Sequence, residues 1–242
     1  MSAKKTRLDN ALVSFGLVRT RSQAENLIKL GMVTVGGKTI SKPGYFVSEG
    51  ADIQVTADEQ YVSRAALKLA SIADSFGLNF TNKVVLDVGS STGGFTDYAL
   101  KNGAQKVIAV DVGTDQLHPS LRDDSRVELR EQTDIRDIKR LSDRVDIVVI
   151  DVSFISLKDI LPHIAKLLDN EARIVAMLKP QFEATPSTKH KGVIKNEKIR
   201  RDILKGFEVW VKKLFVIENK ADSQVSGSKG NIERFYLLKK LA

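Results

Sequence analysis

Between Val84 and Leu100 the chain reads VVLDVGSSTGGFTDYAL: an apolar run, an aspartate, a glycine-rich turn and a helical pattern. Such an order resembles a nucleotide-binding turn, and the residues within it narrow the ligand. A dinucleotide fingerprint needs G-x-G-x-x-G, because its second glycine lets the pyrophosphate reach the backbone. In Gly89-Ser90-Ser91-Thr92-Gly93-Gly94 that position is Ser91, which disfavours NAD. A phosphate loop of the form G-x-x-x-x-G-K-T fits Gly89, Gly94 and Thr96, but Phe95 stands where the lysine belongs. Without that cation the outer phosphates of a nucleoside triphosphate lose their main side-chain partner. Asp87, just ahead of the turn, repels a pyrophosphate and favours a cationic ligand.

Composition excludes other chemistries. The 242 residues contain no cysteine, which removes disulfides, thiolate metal sites and cysteine nucleophiles, and three scattered histidines leave no metal site to expect. No apolar run reaches the roughly 18 to 20 residues that span a bilayer, and MSAKKTRLDN lacks the apolar core of a signal peptide. A soluble, cytoplasmic protein is expected. The net charge of +8 is unevenly spread: Met1 to Gly44 carries eight basic residues against two acidic, Lys189 to Ala242 fourteen against six, and the middle is acidic. Two basic ends around an acidic core fit a polyanion held at the ends, with different chemistry between.

Hydrophobic periodicity places the turn in a larger frame. RLDNALVSFG and SQAENLIKLG have helical apolar spacing, each closed by a glycine; MVTVGGKTI is an alternating hairpin pattern at Gly36-Gly37, and ADIQV adds a strand. SRAALKLASIADSF reads as a helix with Ser63 as its N-cap. Strand patterns KVVLDV, KVIAVDV, RVELRE, DIVVIDV and ARIVAML then alternate with helices, before a long helix near Asn196 to Lys213 and the strands LFVIEN and RFYLLK. This alternation predicts an α/β fold with a mostly parallel sheet covered on both faces and ligands at the strands' carboxyl ends. The expected division is residues 1–57 as a small α+β domain, 58–62 as linker and 63–242 as the α/β domain.

The first segment resembles the RNA-binding module of the ribosomal protein S-four type, through Arg7-Leu8-Asp9, Arg19, Ser22, Ala24, Ile28, Gly31, Val33, Val35 and Gly37. Its helix pair carries Arg7, Arg19, Arg21 and Lys29, which can hold phosphates and recognise RNA by shape. LDVGSSTGGFT resembles the first motif of class I methyltransferases, a Rossmann-like fold with a seven-stranded sheet, and in particular RNA 2′-O-methyltransferases whose turn reads G-x-x-x-G-G-F. S-adenosylmethionine, with a sulfonium, an ammonium and no phosphate, suits Asp87. The resemblance implies a cofactor site from Asp87, Gly89, Ser90, Ser91, Gly93, Gly94 and Phe95. It also implies Asp111 toward the ribose hydroxyls and Asp134 toward the adenine amino group.

The missing cysteine rules out covalent methylation at pyrimidine C5, and DVSF at Asp151 is not the N/D-P-P-Y/F loop that holds an exocyclic amine. Oxygen is the favoured acceptor. Taken in order, VSRAALKL, LDVGSSTGGFT, VVIDVSFIS, MLKPQFE and GNIERF resemble the hemolysin A (TlyA) family of ribosomal RNA 2′-O-methyltransferases with an FtsJ-like catalytic domain, over essentially the whole chain. The resemblance implies cytidine ribose as substrate, ribosomal RNA or subunits as partner, and a tetrad of Lys68, Asp151, Lys179 and Glu233. A ribose hydroxyl is a poor nucleophile, so its proton must be removed or shared as the methyl group passes in line from sulfur to oxygen. Lys179 is the residue expected there. It either takes the proton or stays charged and steadies the developing oxyanion.

Two loops depart from the family pattern. ATPSTKHKGVIK keeps only Gly192-Val193-Ile194 of a G-K-G-G-V-V run, and SQVSGSKGNIE lacks both prolines of S-P-I-x-G-P-x-G-N-x-E. The short stretch before Arg7 matches the shorter family type, for which large-subunit RNA is the expected substrate. Two other classes compete: membrane lysis, which the haemolysin label of such proteins implies, and a non-catalytic RNA-binding assembly factor that keeps a cofactor pocket.

Overall fold

Apolar residues alternate along the long strands of the chain, and both resulting rows are buried. Leu86 and Val88 belong to one core and Val85 to the other; Ile174, Ala176 and Leu178 oppose Val175 and Met177; Tyr236 and Leu238 oppose Phe235 and Leu237. A sheet apolar on both faces requires helices on both. The computed structural model describes residues 5–18, 21–29, 32–55, 61–184, 194, 196–225 and 231–241, in two compact units, Met1–Gln60 and Tyr61–Ala242.

The first unit contains β1 (Lys5–Arg7), α1 (Leu8–Ser14), α2 (Arg21–Lys29), β2 (Val33–Val35), β3 (Lys38–Thr39), β4 (Phe46–Ser48) and β5 (Ile53–Val55). Strands β3, β2 and β5 form an antiparallel sheet, with Gly36-Gly37 turning β2 into β3 as the hairpin pattern predicts. A separate antiparallel ladder joins β1 to β4. These three-residue strands are too short to show a period in sequence. Leu8, Leu12, Ala24, Ile28, Val33 and Val47 make the core.

The second unit runs α3 (Arg64–Ala73), β6 (Val84–Val88), α4 (Gly94–Lys101), β7 (Lys106–Val110), α5 (Pro119–Arg122) and β8 (Val127–Arg130). It continues with β9 (Ile147–Ile150), α6 (Leu157–Leu167), β10 (Arg173–Leu178), α7 (Pro180–Glu183), α8 (Glu197–Val211), β11 (Phe215–Asp222) and β12 (Arg234–Lys240). The seven strands lie in the order β11-β12-β10-β9-β6-β7-β8. All pairs from β10 to β8 are parallel, whereas β12 runs antiparallel to both β10 and β11. Helices α6 and α8 cover one face and α3, α4 and α5 the other. Ser63 occupies the N-cap position of α3 in extended backbone, but its side chain makes no capping bond.

Candidate active site

Strand order reverses between β6 and β9, and in open parallel sheets the crevice at such a switch point is where ligands bind. Continuing the strand register by one residue places Gly89, Asp111 and Asp151 in a row just beyond β6, β7 and β9. Gly89 has a φ of +82°, and a Cβ there would lie 2.9 Å from the Asp151 carbonyl oxygen. Only glycine lets these two strand ends approach so closely. Gly93, at φ +92°, precedes α4, and a Cβ on it would come within 2.8 Å of Leu117 Cδ1. Ser91 also sits in the left-handed region, at φ +47°, where its N–H donates to Asp111 Oδ2 over 2.8 Å. The Gly113 N–H donates to Asp111 Oδ1 over 2.7 Å. The carboxylate is thereby fixed, with a second lone pair on each oxygen for further donors.

A cavity of about 370 Å³ opens here, bordered by Gly89, Ser91, Asp111, Asp134, Asp151 and Phe154 among others. Asp134 caps the 3-10 turn Ile135–Asp137 and pairs with Arg136 at 2.6 Å, which holds its carboxyl below the ordinary range. Asp87 lies buried behind the wall. Its Oδ2 accepts from Thr96 Oγ1 at 2.7 Å, and its Oδ1 has no partner. Burial pushes this carboxyl up to about 7 against the Thr96 bond, with the charges of Asp151 and Asp111 adding to the rise. Ser90, Gly93 and Gly94 shape the turn without bordering the cavity. Phe95 is placed in the core, 2% exposed with its ring 6.2 Å from Phe235, because the first turn of α4 faces the sheet. It does not wall the cavity.

The four expected catalytic residues form two ion pairs at the same end of the sheet. Asp151 follows β9, Lys179 follows β10, and their charged atoms lie 2.6 Å apart. That contact lies off a hydrogen-bond direction; Lys179 Nζ instead donates to Ser153 Oγ over 2.8 Å. Glu233 precedes β12, where Leu178 registers with Arg234, so Glu233 falls beside Lys179 as the ladder continues. Lys68 on α3 donates to Glu233 Oε1 over 3.1 Å. A Cβ on Gly94 would come within 2.8 Å of Ala65 Cβ, so this glycine sets how closely α3 can approach α4.

Five buried side-chain atoms among the described residues lack any hydrogen-bond partner: Asp87 Oδ1, Ser90 Oγ, Asp151 Oδ1, Gln181 Oε1 and Glu233 Oε2. Buried polar groups are normally satisfied. Asp87 lies in β6 and Ser90 in the turn after it, Asp151 follows β9, Gln181 is on α7 just beyond β10, and Glu233 precedes β12, so unmet polarity gathers at one end of the sheet. That distribution suits a polar, cationic ligand and a hydroxylic substrate.

The description FtsJ-like methyltransferase matches residues 61–240, and S4 domain matches residues 6–53. The chain belongs to the FtsJ-like methyltransferase family. Hemolysin A of Brachyspira hyodysenteriae is 40% identical over 235 residues, 94% of this chain and 97% of that protein. The 16S/23S rRNA (cytidine-2′-O)-methyltransferase TlyA of Mycobacterium tuberculosis is 42% identical over 185 residues, 75% of this chain and 69% of that one. A solved structure of a hemolysin-class protein from Streptococcus thermophilus superposes with a TM-score of 0.76 at 36% identity, covering 99% of this chain and 90% of that one. These likenesses place this FtsJ-like methyltransferase in the hemolysin A (TlyA) group.

Three residues around the site of this FtsJ-like methyltransferase escape sequence reasoning. Glu183, on α7, accepts from Ser156 Oγ and from the Leu157 N–H, both at 2.6 Å, and so ties the start of α6 to the turn after Lys179. Burial pushes its carboxyl up despite those bonds. Ser153 receives the Lys179 ammonium. Phe154 has a φ of +68° and is 91% exposed, with its ring 5.1 Å from that of Phe182. A non-glycine residue held in left-handed backbone with its ring in solvent is costly, and such strain clusters at functional sites. No local pattern announces it.

In the first unit, Arg7 and Arg21 converge on Asp9, which is fully buried, at 2.6 and 3.1 Å. The Arg7 hydrogen bonds, more than any other cause, draw the Asp9 carboxyl down to about 2. Both guanidinium groups stay about half exposed, so the buried acid orients them without covering them. Lys29 ends α2, its side chain outside the described residues; Arg19 and most of the two variant loops, 185–193 and 226–230, lie outside them as well.

Proposed function

We propose that this chain methylates the 2′-hydroxyl of a cytidine ribose in ribosomal RNA, with S-adenosylmethionine as donor and the cytoplasm as its place of work. The observation that carries this reading is the pair of lysine–carboxylate contacts, Lys179–Asp151 and Lys68–Glu233, at the strand ends beside the Gly89–Asp111 crevice. The named activity of the Mycobacterium tuberculosis relative, and that of a Campylobacter jejuni relative named 23S rRNA (cytidine-2′-O)-methyltransferase TlyA, supports the substrate.

The donor supplies an electrophilic methyl group on a sulfonium centre. Gly89 and Ser91 would hold it through the turn, Asp111 through its remaining lone pairs, and Asp87 through a buried carboxyl group with one oxygen unspent, ionised when the cationic donor binds. Lys179 is assigned to the reacting hydroxyl: Asp151 fixes the position of Nζ, and the pair would take up the proton that leaves the ribose oxygen as the C–O bond forms and the methyl carbon–sulfur bond breaks to leave a neutral thioether. Lys68 holds Glu233 in the inner part of the site. The exposed face of Phe154 offers a stacking surface to an unpaired base, the usual way a protein grips single-stranded RNA. Arg7 and Arg21, oriented by Asp9, would take phosphates.

The deciding experiment incubates the protein with methyl-labelled S-adenosylmethionine and ribosomal subunits from cells that lack it. Label at a single cytidine, together with a gap at that nucleotide in the alkaline hydrolysis ladder, is the expected result, because a 2′-O-methyl group blocks strand cleavage. Label on a base, or none at all, overturns the reading.

A further inference from the structure

Most cations among the described residues of the second unit reach a carboxylate. Lys83, Lys106, Arg126, Arg136, Arg173 and Lys239, for example, each reach a carboxylate within 3.4 Å. Helix α8 breaks the pattern. Lys198, Arg201, Lys205, Lys212 and Lys213, on the helix or just after it, are all exposed, and none has an ion partner among the described residues. Exposed acids on the same stretch are Glu197 and Asp202, so its outward surface keeps a clear positive excess.

The spacing makes this a stripe. Residues 198, 201, 205 and 212 are separated by 3, 4 and 7, which puts them on one side of an α-helix. At 1.5 Å per residue the stripe is about 21 Å long, enough to follow several consecutive phosphates. Its opposite side is committed: Leu204, Phe207 and Val211 are buried in the core, and Arg200 is pinned to Asp222 and the Ile232 carbonyl. The helix is therefore rigidly mounted. Helix α8 packs against α7, which follows Lys179, and Arg200 near its start donates to the Ile232 carbonyl next to Glu233, so the stripe starts beside the active site.

We propose that the outward face of α8 is a second RNA-contact surface, on the catalytic unit itself, which tracks the phosphate backbone of the substrate. This rests on the ribosomal RNA reading above. An anionic membrane offers the same charge, but the apolar side of α8 is occupied by the core, and Val209 and Leu214 are the exposed apolar side chains left beside the stripe, too few for an inserting face. Holding the strand beside the chemistry is the role this gives α8, since a ribose must be presented to Lys179 within hydrogen-bond reach.

The test compares two triple variants with the same loss of charge. One is Lys198→Gln, Arg201→Gln, Lys205→Gln; the control is Lys139→Gln, Arg140→Gln, Lys166→Gln, whose residues are also exposed and without ion partners among the described residues. Binding to ribosomal RNA from cells lacking the protein is measured by filter retention at salt concentrations from about 50 to 200 mM. The α8 variant is expected to lose at least tenfold in affinity at about 0.1 M salt, with a slope of log affinity against log salt shallower by about 2. Its KM for RNA should rise while turnover at saturating RNA and the melting temperature stay unchanged, and the control should move less than twofold. Equal behaviour of the two variants overturns the proposal. So does loss of binding to phosphatidylserine vesicles with RNA binding intact. A wild-type protein that binds this RNA but does not methylate it sinks the catalytic reading and leaves the α8 comparison standing; one that neither binds nor methylates it sinks both.

Discussion

The two lysine–carboxylate pairs have the same chemical composition and differ in their access to the cavity. Lys68–Glu233 is sealed: its side chains are 11% and 4% exposed, and one glutamate oxygen is buried without a partner. Lys179–Asp151 is only a little more exposed, at 12% and 17%, but Asp151 borders the cavity, and so does Ser153, which accepts from Lys179 Nζ. A sealed pair fixes geometry and field, because moving its protons or charges in a low-dielectric interior is costly. An open pair can meet a substrate. On the proposed function, Lys179–Asp151 is the reacting pair and Lys68–Glu233 the supporting one.

Substitutions should break this symmetry in different observables. For Lys179→Ala the expected result is a fall in turnover of at least a hundredfold, the range typical of losing a positioned acid–base group, with cofactor affinity unchanged within twofold. Label transfer to ribosomal RNA and calorimetric titration of S-adenosylmethionine measure the two. Full turnover in this variant would remove Lys179 from the reaction. Glu233→Ala should instead register in stability, since it strands the Lys68 ammonium in the interior. Breaking a buried pair costs about 3 to 5 kcal/mol, and a unit of this size should melt roughly 6 to 20 °C lower. A second change, Lys68→Met in the same chain, should restore most of that loss without restoring activity. If Glu233→Ala melts like the wild type, the pair is not sealed in solution.

Asp87 extends the comparison to a buried carboxylate that has no cation at all. Its carboxyl is raised from an ordinary 3.8 to about 7, so the folded chain prefers it protonated. The stability it contributes is complete below about 3.8 and is lost as pH rises to about 7. Binding of a cationic ligand should run the other way. If binding requires the ionised form, affinity should improve roughly tenfold per pH unit up to about 7 and then level off. Melting curves and cofactor titrations at pH 5.5, 6.5 and 7.5 should show both trends, and Asp87→Asn should flatten both. A cofactor affinity independent of pH in the wild type would place the charge elsewhere.

The sequence made the second unit legible because its strands are long enough for apolar periodicity to show, and because Asp87, Asp111, Asp151 and Lys179 sit at or just beyond strand ends, where register alone brings them together. What stayed hidden had no local signature. The three-residue strands β1 and β4 are held by each other and by the core around Val47. Phe95 sits inside the glycine motif yet serves the core, since the motif is one-dimensional and α4 turns that side chain inward. The Arg7–Asp9–Arg21 cluster shows the same limit: the arginines stand out in the sequence as candidate phosphate ligands, whereas the role of the buried acid that orients them does not.

Glu183 offers the finest test of how the open pair is kept in place. The sealed pair is fixed by burial, but the open one depends on the segment 151–156, which Glu183 holds through Ser156 and the Leu157 N–H. In Glu183→Gln the side chain keeps one oxygen acceptor and loses the other, so one of these two donors loses its bond, at a cost of about 1 kcal/mol. Turnover should drop several-fold through misplacement of Ser153 and Lys179, with cofactor affinity intact and the KM for RNA little changed. Glu183→Ala, which removes both acceptors, should lose more turnover than Glu183→Gln while cofactor affinity again holds. A purely structural role predicts a different result: the two variants would differ in melting temperature and share wild-type turnover, and the open pair would then owe its geometry to the sheet alone.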